Sequence, residues 1–177
     1  MSLDSKLFWK AFKQANECDL VDCLTPAKAA PYLKWLEARI RNPALLELVR
    51  EFPLAEDEQL CAHYFYGPRM MKQVTKSSRL LEKEYLVIGS TANGDYIVIP
   101  LARPAEVGFV NHETLDDQRG VCEYISICNS VGGLYYNSWN KQEFPADYYD
   151  AVRNPKRPRV KHRSSRRKEA PSKRNPK

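Results

Sequence analysis

Two short β-branched runs, Tyr85-Leu86-Val87-Ile88 and Asp95-Tyr96-Ile97-Val98-Ile99-Pro100-Leu101, flank the dipeptide Asn93-Gly94. Asn and Gly tolerate positive φ, and tight turns built from them match the twist of paired strands, so the two runs are expected to form an antiparallel hairpin. Val107-Gly108-Phe109-Val110 reads as a further strand, and Leu60 to Tyr66, aromatic-rich and closed by Gly67-Pro68, as an earlier one. Such a sheet must bury its apolar side against another layer, and helical periodicity that supplies one precedes it in the chain.

Leu7, Phe8, Ala11, Phe12 and Ala15 recur at offsets of three and four, the period of one helix face. Thr25-Pro26 supplies a capping hydroxyl followed by proline at the first helical position, and Leu33, Leu36 and Ile40 carry a second helix to Asn42-Pro43. Ala44 to Val49 makes a short third. Residues 69 to 83 are basic and ambiguous in period, and Tyr124 to Cys128 is open between a strand and a helix start. In Val131-Gly132-Gly133-Leu134-Tyr135-Tyr136 the glycine pair favours a turn. A last helix begins near Pro145, with Tyr148, Tyr149 and Val152 as its apolar side. The expected fold class is α+β: a central antiparallel sheet of about four to six strands with N-terminal and C-terminal helices packed on it.

Charge divides the chain in two. Residues 1 to 152 hold 16 Lys and Arg against 21 Asp and Glu, a charge of −5, whereas residues 153 to 177 hold 12 against 1, a charge of +11. Residues 1–152 thus read as a single, mildly acidic domain, and residues 153–177, made of Arg, Lys, Pro, Ser and Asn with hardly an apolar side chain, as a disordered basic tail. No run of about 18 apolar residues occurs, and Met1-Ser2-Leu3-Asp4-Ser5-Lys6 does not open a signal peptide, so neither secretion nor a membrane partner is expected. Five cysteines (Cys18, Cys23, Cys61, Cys122, Cys128) are odd in number and contain no Cys-x-x-Cys. Reduced thiols in a cytoplasm suit that pattern better than a disulfide framework or a zinc ribbon.

Three motifs stand in order: Leu86-Val87-Ile88-Gly89-Ser90, then Asn93-Gly94-Asp95-Tyr96-Ile97-Val98-Ile99, then Glu106-Val107-Gly108-Phe109-Val110-Asn111-His112-Glu113. Together they resemble the SUKH superfamily, named for a yeast cell-wall-synthesis regulator and its bacterial relatives, over roughly residues 85 to 138. The resemblance implies one α+β domain whose central antiparallel sheet is flanked by helices. It implies a helix over Asn129 to Tyr136, against the glycine content. It also implies protein binding, because many bacterial members are immunity proteins that neutralise a toxin domain, often a nuclease, while fungal members are interaction and scaffolding proteins. The N-terminal half departs from the pattern: Phe52-Pro53-Leu54 stands in for a Leu-Pro helix opening, and no Asn-Gly-Gly loop follows.

No catalytic set is legible. His112-Glu113 lacks the second histidine one helical turn on that a zinc protease needs, since position 116 is Asp116. His112 is therefore expected at a strand end, hydrogen-bonded through one ring nitrogen, and Asp95 is expected to serve its own turn. Cys122 and Cys128 are tied to no histidine by spacing and read as small buried hydrophobes. Neither a metal nor a cofactor is expected. A protein-binding face is assigned instead to Asp95, His112, Glu113, Trp139, Tyr135 and Tyr136, because Tyr and Trp concentrate where proteins meet, with the other aromatics of this region left to the core. Glu56-Asp57-Glu58 and Asp116-Asp117 would steer a basic partner. In the tail, Arg157, Arg159, Lys161, Arg163, Arg166, Arg167 and Lys168 can hold a polyanion by counterion release, although no aromatics interleave there for stacking on single strands.

The expected function is a non-enzymatic protein-binding module, of immunity type by resemblance, with another protein such as a toxin domain as partner. A nucleic-acid-associated adaptor working through the basic tail is the alternative. A third reading, a small hydrolase built on Asp95, His112 and Glu113, requires those side chains to converge in a cleft.

Overall fold

The computed structural model describes residues 4–15, 26–51, 57–115, 122–140 and 144–155. Along the chain run α1 (Ser5–Ala15), α2 (Pro26–Glu37), α3 (Pro43–Arg50), β1 (Glu58–Leu60), β2 (His63–Phe65), α4 (Pro68–Ser77), β3 (Tyr85–Thr91), β4 (Tyr96–Pro100), β5 (Val107–Val110), a 3₁₀ turn (His112–Thr114), β6 (Tyr124–Cys128), α5 (Val131–Asn140) and α6 (Tyr148–Arg153). The six strands form one sheet in sequence order, each antiparallel to its neighbour. The protein is an α+β domain with helices at the N- and C-terminal sides of its sheet.

Strand alternation divides the side chains between two faces. On one, Phe65, Leu86, Ile88, Ile97, Ile99 and Phe109 are buried against Phe8 and Ala11 of α1, Tyr32 and Leu36 of α2, Leu45 and Val49 of α3, and Leu134 and Tyr135 of α5. Tyr135 lies at its centre, stacked on Phe65 with ring centroids 3.8 Å apart and tilted against Phe8 at 4.4 Å. The assignment of Tyr135 to a binding face is thereby corrected: it is fully buried, and its ring joins α1, β2 and α5. On the other face Val87, Val98 and Val110 form a smaller cluster with Leu80, bordered by Tyr66, Tyr85, Tyr96 and Tyr124.

Several elements differ from the sequence reading. The expected strand from Leu60 to Tyr66 is a hairpin, β1 and β2, because Leu60 pairs with His63 and leaves Cys61 and Ala62 as its turn. Cys61 takes φ +53° there without the glycine or asparagine that normally signals such a bend. The ambiguous basic segment holds α4, with Gly67 as N-cap and Pro68 at the first helical position, and Met71 and Thr75 buried. Tyr124 to Cys128 is a strand. The glycine pair lies inside α5, where Ser130 Oγ accepts from the Gly133 N–H at 2.9 Å as a cap and burial of Leu134 and Tyr135 outweighs a penalty of about 1 kcal/mol per glycine. A helix over this segment is what the SUKH resemblance implied.

The last helix turns two of its three expected apolar side chains outward: Tyr148 packs against the core and Ala151 is buried at 3% exposure, while Tyr149 and Val152 are 40% and 48% exposed. Six residues cannot bury four faces, and the smallest side chain takes the position against the sheet. Thr25, Glu56, Asp116, Asp117, Cys18, Cys23 and the tail cations from Arg157 to Lys168 lie outside the described residues. Among the described residues, no helix is long and apolar enough to cross a membrane.

Gly108 is a sharp test of the β5–β6 pairing. A Cβ there would stand 2.2 Å from the Ile125 carbonyl oxygen and 2.5 Å from the Tyr124 ring, and the backbone atom has nowhere to retreat without opening the strand pair. Gly108→Ala is expected to destabilise the domain by about 2 to 3 kcal/mol, measured as a lower urea midpoint with unchanged m-value.

Candidate functional site

The β3–β4 turn is closed without the Asp95 carboxylate. Gly94 takes φ +97°, and the Asp95 N–H donates to Thr91 Oγ1 at 3.1 Å and Asn93 Oδ1 at 3.3 Å, with the Thr91 hydroxyl itself bonded to Asn93. The carboxylate is free to reach elsewhere, and it does. Asp95 Oδ1 accepts from the backbone N–H of His112 at 3.2 Å and from His112 Nδ1 at 2.8 Å, while Oδ2 accepts from the Tyr148 N–H at 2.9 Å. Asp95 is fully buried, so these three donors replace its water. The expectation that Asp95 serves its own turn is corrected: Thr91 and Asn93 do that, and Asp95 ties the hairpin to the end of β5 and the start of α6.

His112 matches its expected role at a strand end, bonded through one ring nitrogen. Its ring lies over Gly94, with Cγ, Nδ1 and Cδ2 each 3.8 Å from where a Cβ would stand. The bond to Asp95 holds the proton on Nδ1 and turns Nε2 outward, and the side chain is 37% exposed. A carboxylate that orients a histidine in this way is half of a general-base arrangement. Glu113, the third member of the hydrolase reading, is bonded to Tyr149 instead of to His112.

That second bond belongs to a network around Asn111. Asn111 is 2% exposed; its Oδ1 caps the 3₁₀ turn by accepting from the Glu113 N–H at 3.0 Å, and its Nδ2 donates to Glu123 Oε2 at 3.2 Å and Tyr149 Oη at 3.4 Å. The Tyr149 hydroxyl donates to Glu113 Oε2 at 2.5 Å, and this bond to a carboxylate pushes its pKa above the ordinary tyrosine value, keeping it a donor. Tyr149 is thus an exposed aromatic ring whose tip is fixed from two sides. Glu113 and Glu123 are exposed beside it, and Asp147 and Asp150 are half-buried on α6, where Asp147 caps the helix by accepting from the Asp150 N–H at 2.7 Å.

Of the six residues assigned to binding, Asp95, His112 and Glu113 come together at this end of the sheet. Trp139 and Tyr136 lie on α5, Trp139 at 41% exposure and Tyr136 half-buried beneath the Lys10 ammonium, which stands 4.9 Å from its ring centroid. Tyr149, Val152, Asn111 and Glu123 were missed as site residues. The first two carried a signal in an apolar pair on a helix too short to bury it; Asn111 carried the signal of an Asn before a turn, while its contact with Tyr149, 38 residues away, left no local trace. Among the described residues, no group of three His, Cys, Asp or Glu side chains is placed to hold a metal ion. Compared with protein families, characterised proteins and solved structures, the chain matches none.

Below this site lies His63, 2% exposed, its Nε2 donating to the Pro145 carbonyl at 3.1 Å among Phe65, Phe109 and Phe144. Burial pushes its pKa down to about 4, against weaker opposing contributions from that hydrogen bond and from Asp147. The unfolded chain binds a proton near pH 6.5 that the folded chain refuses, so His63 weakens the fold as pH falls from 6.5 towards 4 and is neutral in effect above that window. The contribution lost is at most about 3 kcal/mol. Urea titrations across this range should show the wild type losing stability faster than His63→Phe. Asp95→Asn, which sets an amide N–H against one of three donors, is expected to lower stability by about 3 kcal/mol and to shift the His112 ring ¹⁵N resonances, read by NMR.

Proposed function

We propose that this chain is a non-enzymatic protein-binding domain of SUKH type, and that it works as an immunity-type partner of a basic toxin domain. The observation that carries the reading is the Tyr149–Val152 patch. Two large apolar side chains stand exposed on α6, one of them held rigid by Glu113 and Asn111, with acidic groups around them. Fixing a tyrosine before a partner arrives removes part of the ordering penalty of binding, and interface energy concentrates on such aromatic anchors. Glu113 and Glu123 beside it suit a cationic partner, such as the nucleic-acid-binding surface of a nuclease, and would speed its encounter. The excess of acids over bases in residues 1 to 152 acts in the same direction, and the +11 of residues 153 to 177 acts against it.

In this reading the buried Asp95 carboxylate, with His112 bonded to it, is the foundation of the surface, since Asp95 positions the first residue of α6 and the adjacent backbone positions Asn111 and Glu113. The test is co-expression with the product of the adjoining gene, followed by calorimetry. A one-to-one complex is expected. Tyr149→Ala should weaken it about 30-fold, the equivalent of a hot spot of about 2 kcal/mol, and Val152→Asp should weaken it further, both with native circular dichroism. A complex unaffected by either substitution, or no complex and no protection from the toxin, would overturn the proposal.

A further inference from the structure

Helix α4, like α1 with Lys6, Lys10 and Lys13, carries several cations and no acid. Its ten residues, Pro68 to Ser77, contain Arg69, Lys72 and Lys76 and no acid. Arg69 stands in the first turn, where the helix dipole disfavours a cation, and Lys72 and Lys76 are four apart, where like charges repel. Among the described residues none of the three makes a salt bridge, and the Lys72 ammonium donates only to the Pro31 carbonyl of α2 at 3.5 Å. The flanking turn adds Arg79 and Lys83, so residues 68 to 83 hold five cations and one acid, Glu82, while the other residues of 1 to 152 hold 11 cations and 20 acids. Within an acidic body, residues 68 to 83 carry a net charge of +4.

The spacing turns the excess into a line. Arg69, Lys72 and Lys76 follow one another at offsets of three and four, on one side of the helix, with Met71 and Thr75 buried on another. The line is about 10 Å long at 1.5 Å per residue, long enough to reach more than one backbone phosphate of a nucleic acid. Local arrangements that lower stability without repair elsewhere in the fold are expected where a surface serves a ligand.

We propose that the Arg69–Lys72–Lys76 line of α4 is a phosphate-backbone contact surface for nucleic acid, separate from the Tyr149 patch. A lipid surface is disfavoured because the exposed large hydrophobic side chains, Tyr64, Trp139, Tyr149 and Val152, all lie outside α4. The tail, at +11, has the same sign and the same polyanion preference, so one nucleic acid can engage both. Phosphate contacts of this kind position a protein without reading bases.

The experiment measures binding of the full-length chain to fluorescent 20-base-pair DNA and RNA duplexes by anisotropy, from about 50 to 200 mM salt. In one variant Arg69, Lys72 and Lys76 become Gln, and in a second Lys6, Lys13 and Arg50 do, which removes equal charge from other exposed helical positions. The α4 variant should bind at least about tenfold more weakly at 50 mM salt and lose about two to three from the slope of log K against log salt, while the second variant keeps its slope. Neutralising the seven tail cations from Arg157 to Lys168 should leave the effect of the α4 substitutions in place. An unchanged slope in a folded α4 variant would sink the proposal. So would an equal loss in the second variant, no binding by the intact chain at 50 mM salt, or tighter binding to polyglutamate or phosphatidylserine vesicles than to either duplex.

Discussion

A carboxylate taken out of water must be given back its hydrogen bonds by the protein, and Asp95 receives three of them from positions that no local structure brings together. One partner residue, His112, ends the β5 segment; the other, Tyr148, opens the last helix. Satisfying this one side chain therefore fixes where the hairpin, the 3₁₀ turn and α6 stand relative to each other. The exposed features of this end, the outward Nε2 of His112 and the ring of Tyr149, inherit their positions from that buried group. Asn111 repeats the device on a smaller scale, since its side chain serves Glu113, Glu123 and Tyr149 at once.

The sheet beneath is asymmetric for a similar reason. Its larger face is sealed by side chains from all six helices around the Phe65–Tyr135 stack, so that α1, separated from α5 by more than a hundred residues, is locked against it. Tyr135 shows how a residue with interface-forming chemistry becomes a core residue once its helix packs its ring against Phe8 and Phe65. The opposite face keeps a thin apolar cluster behind a row of tyrosines, which burial and hydroxyl contacts accommodate together; Tyr66, for instance, donates to Ser90 at 2.7 Å. The two proposed surfaces lie on different elements, the acidic patch on α6 and the basic line on α4.

Much of this architecture was legible from periodicity. The turn at Asn93-Gly94, the strands on both sides, the three N-terminal helices and the α+β class all follow from spacing of apolar residues and the chemistry of proline, glycine and asparagine. Legibility failed where local rules were silent or pointed elsewhere. The β1–β2 turn at Cys61 lacks turn residues, and α5 contains two glycines that argue against a helix. Gly67-Pro68 was readable both as the end of a strand and as the start of a helix, and here it is both.

Alone, the sequence determined the fold class and the segregation of charge, because these depend on periodicity and composition, which neighbouring residues carry. Only the tertiary structure decided what each residue does. It buried Tyr135 and exposed Tyr149 and Val152, it moved Asp95 from turn chemistry to a three-way anchor, and it placed Asn111 beside Glu123 and Tyr149. The physical reason is that burial and hydrogen-bond satisfaction are settled between segments distant in the chain, and a short helix with five large or charged side chains does not contain the information about which of them the sheet will cover.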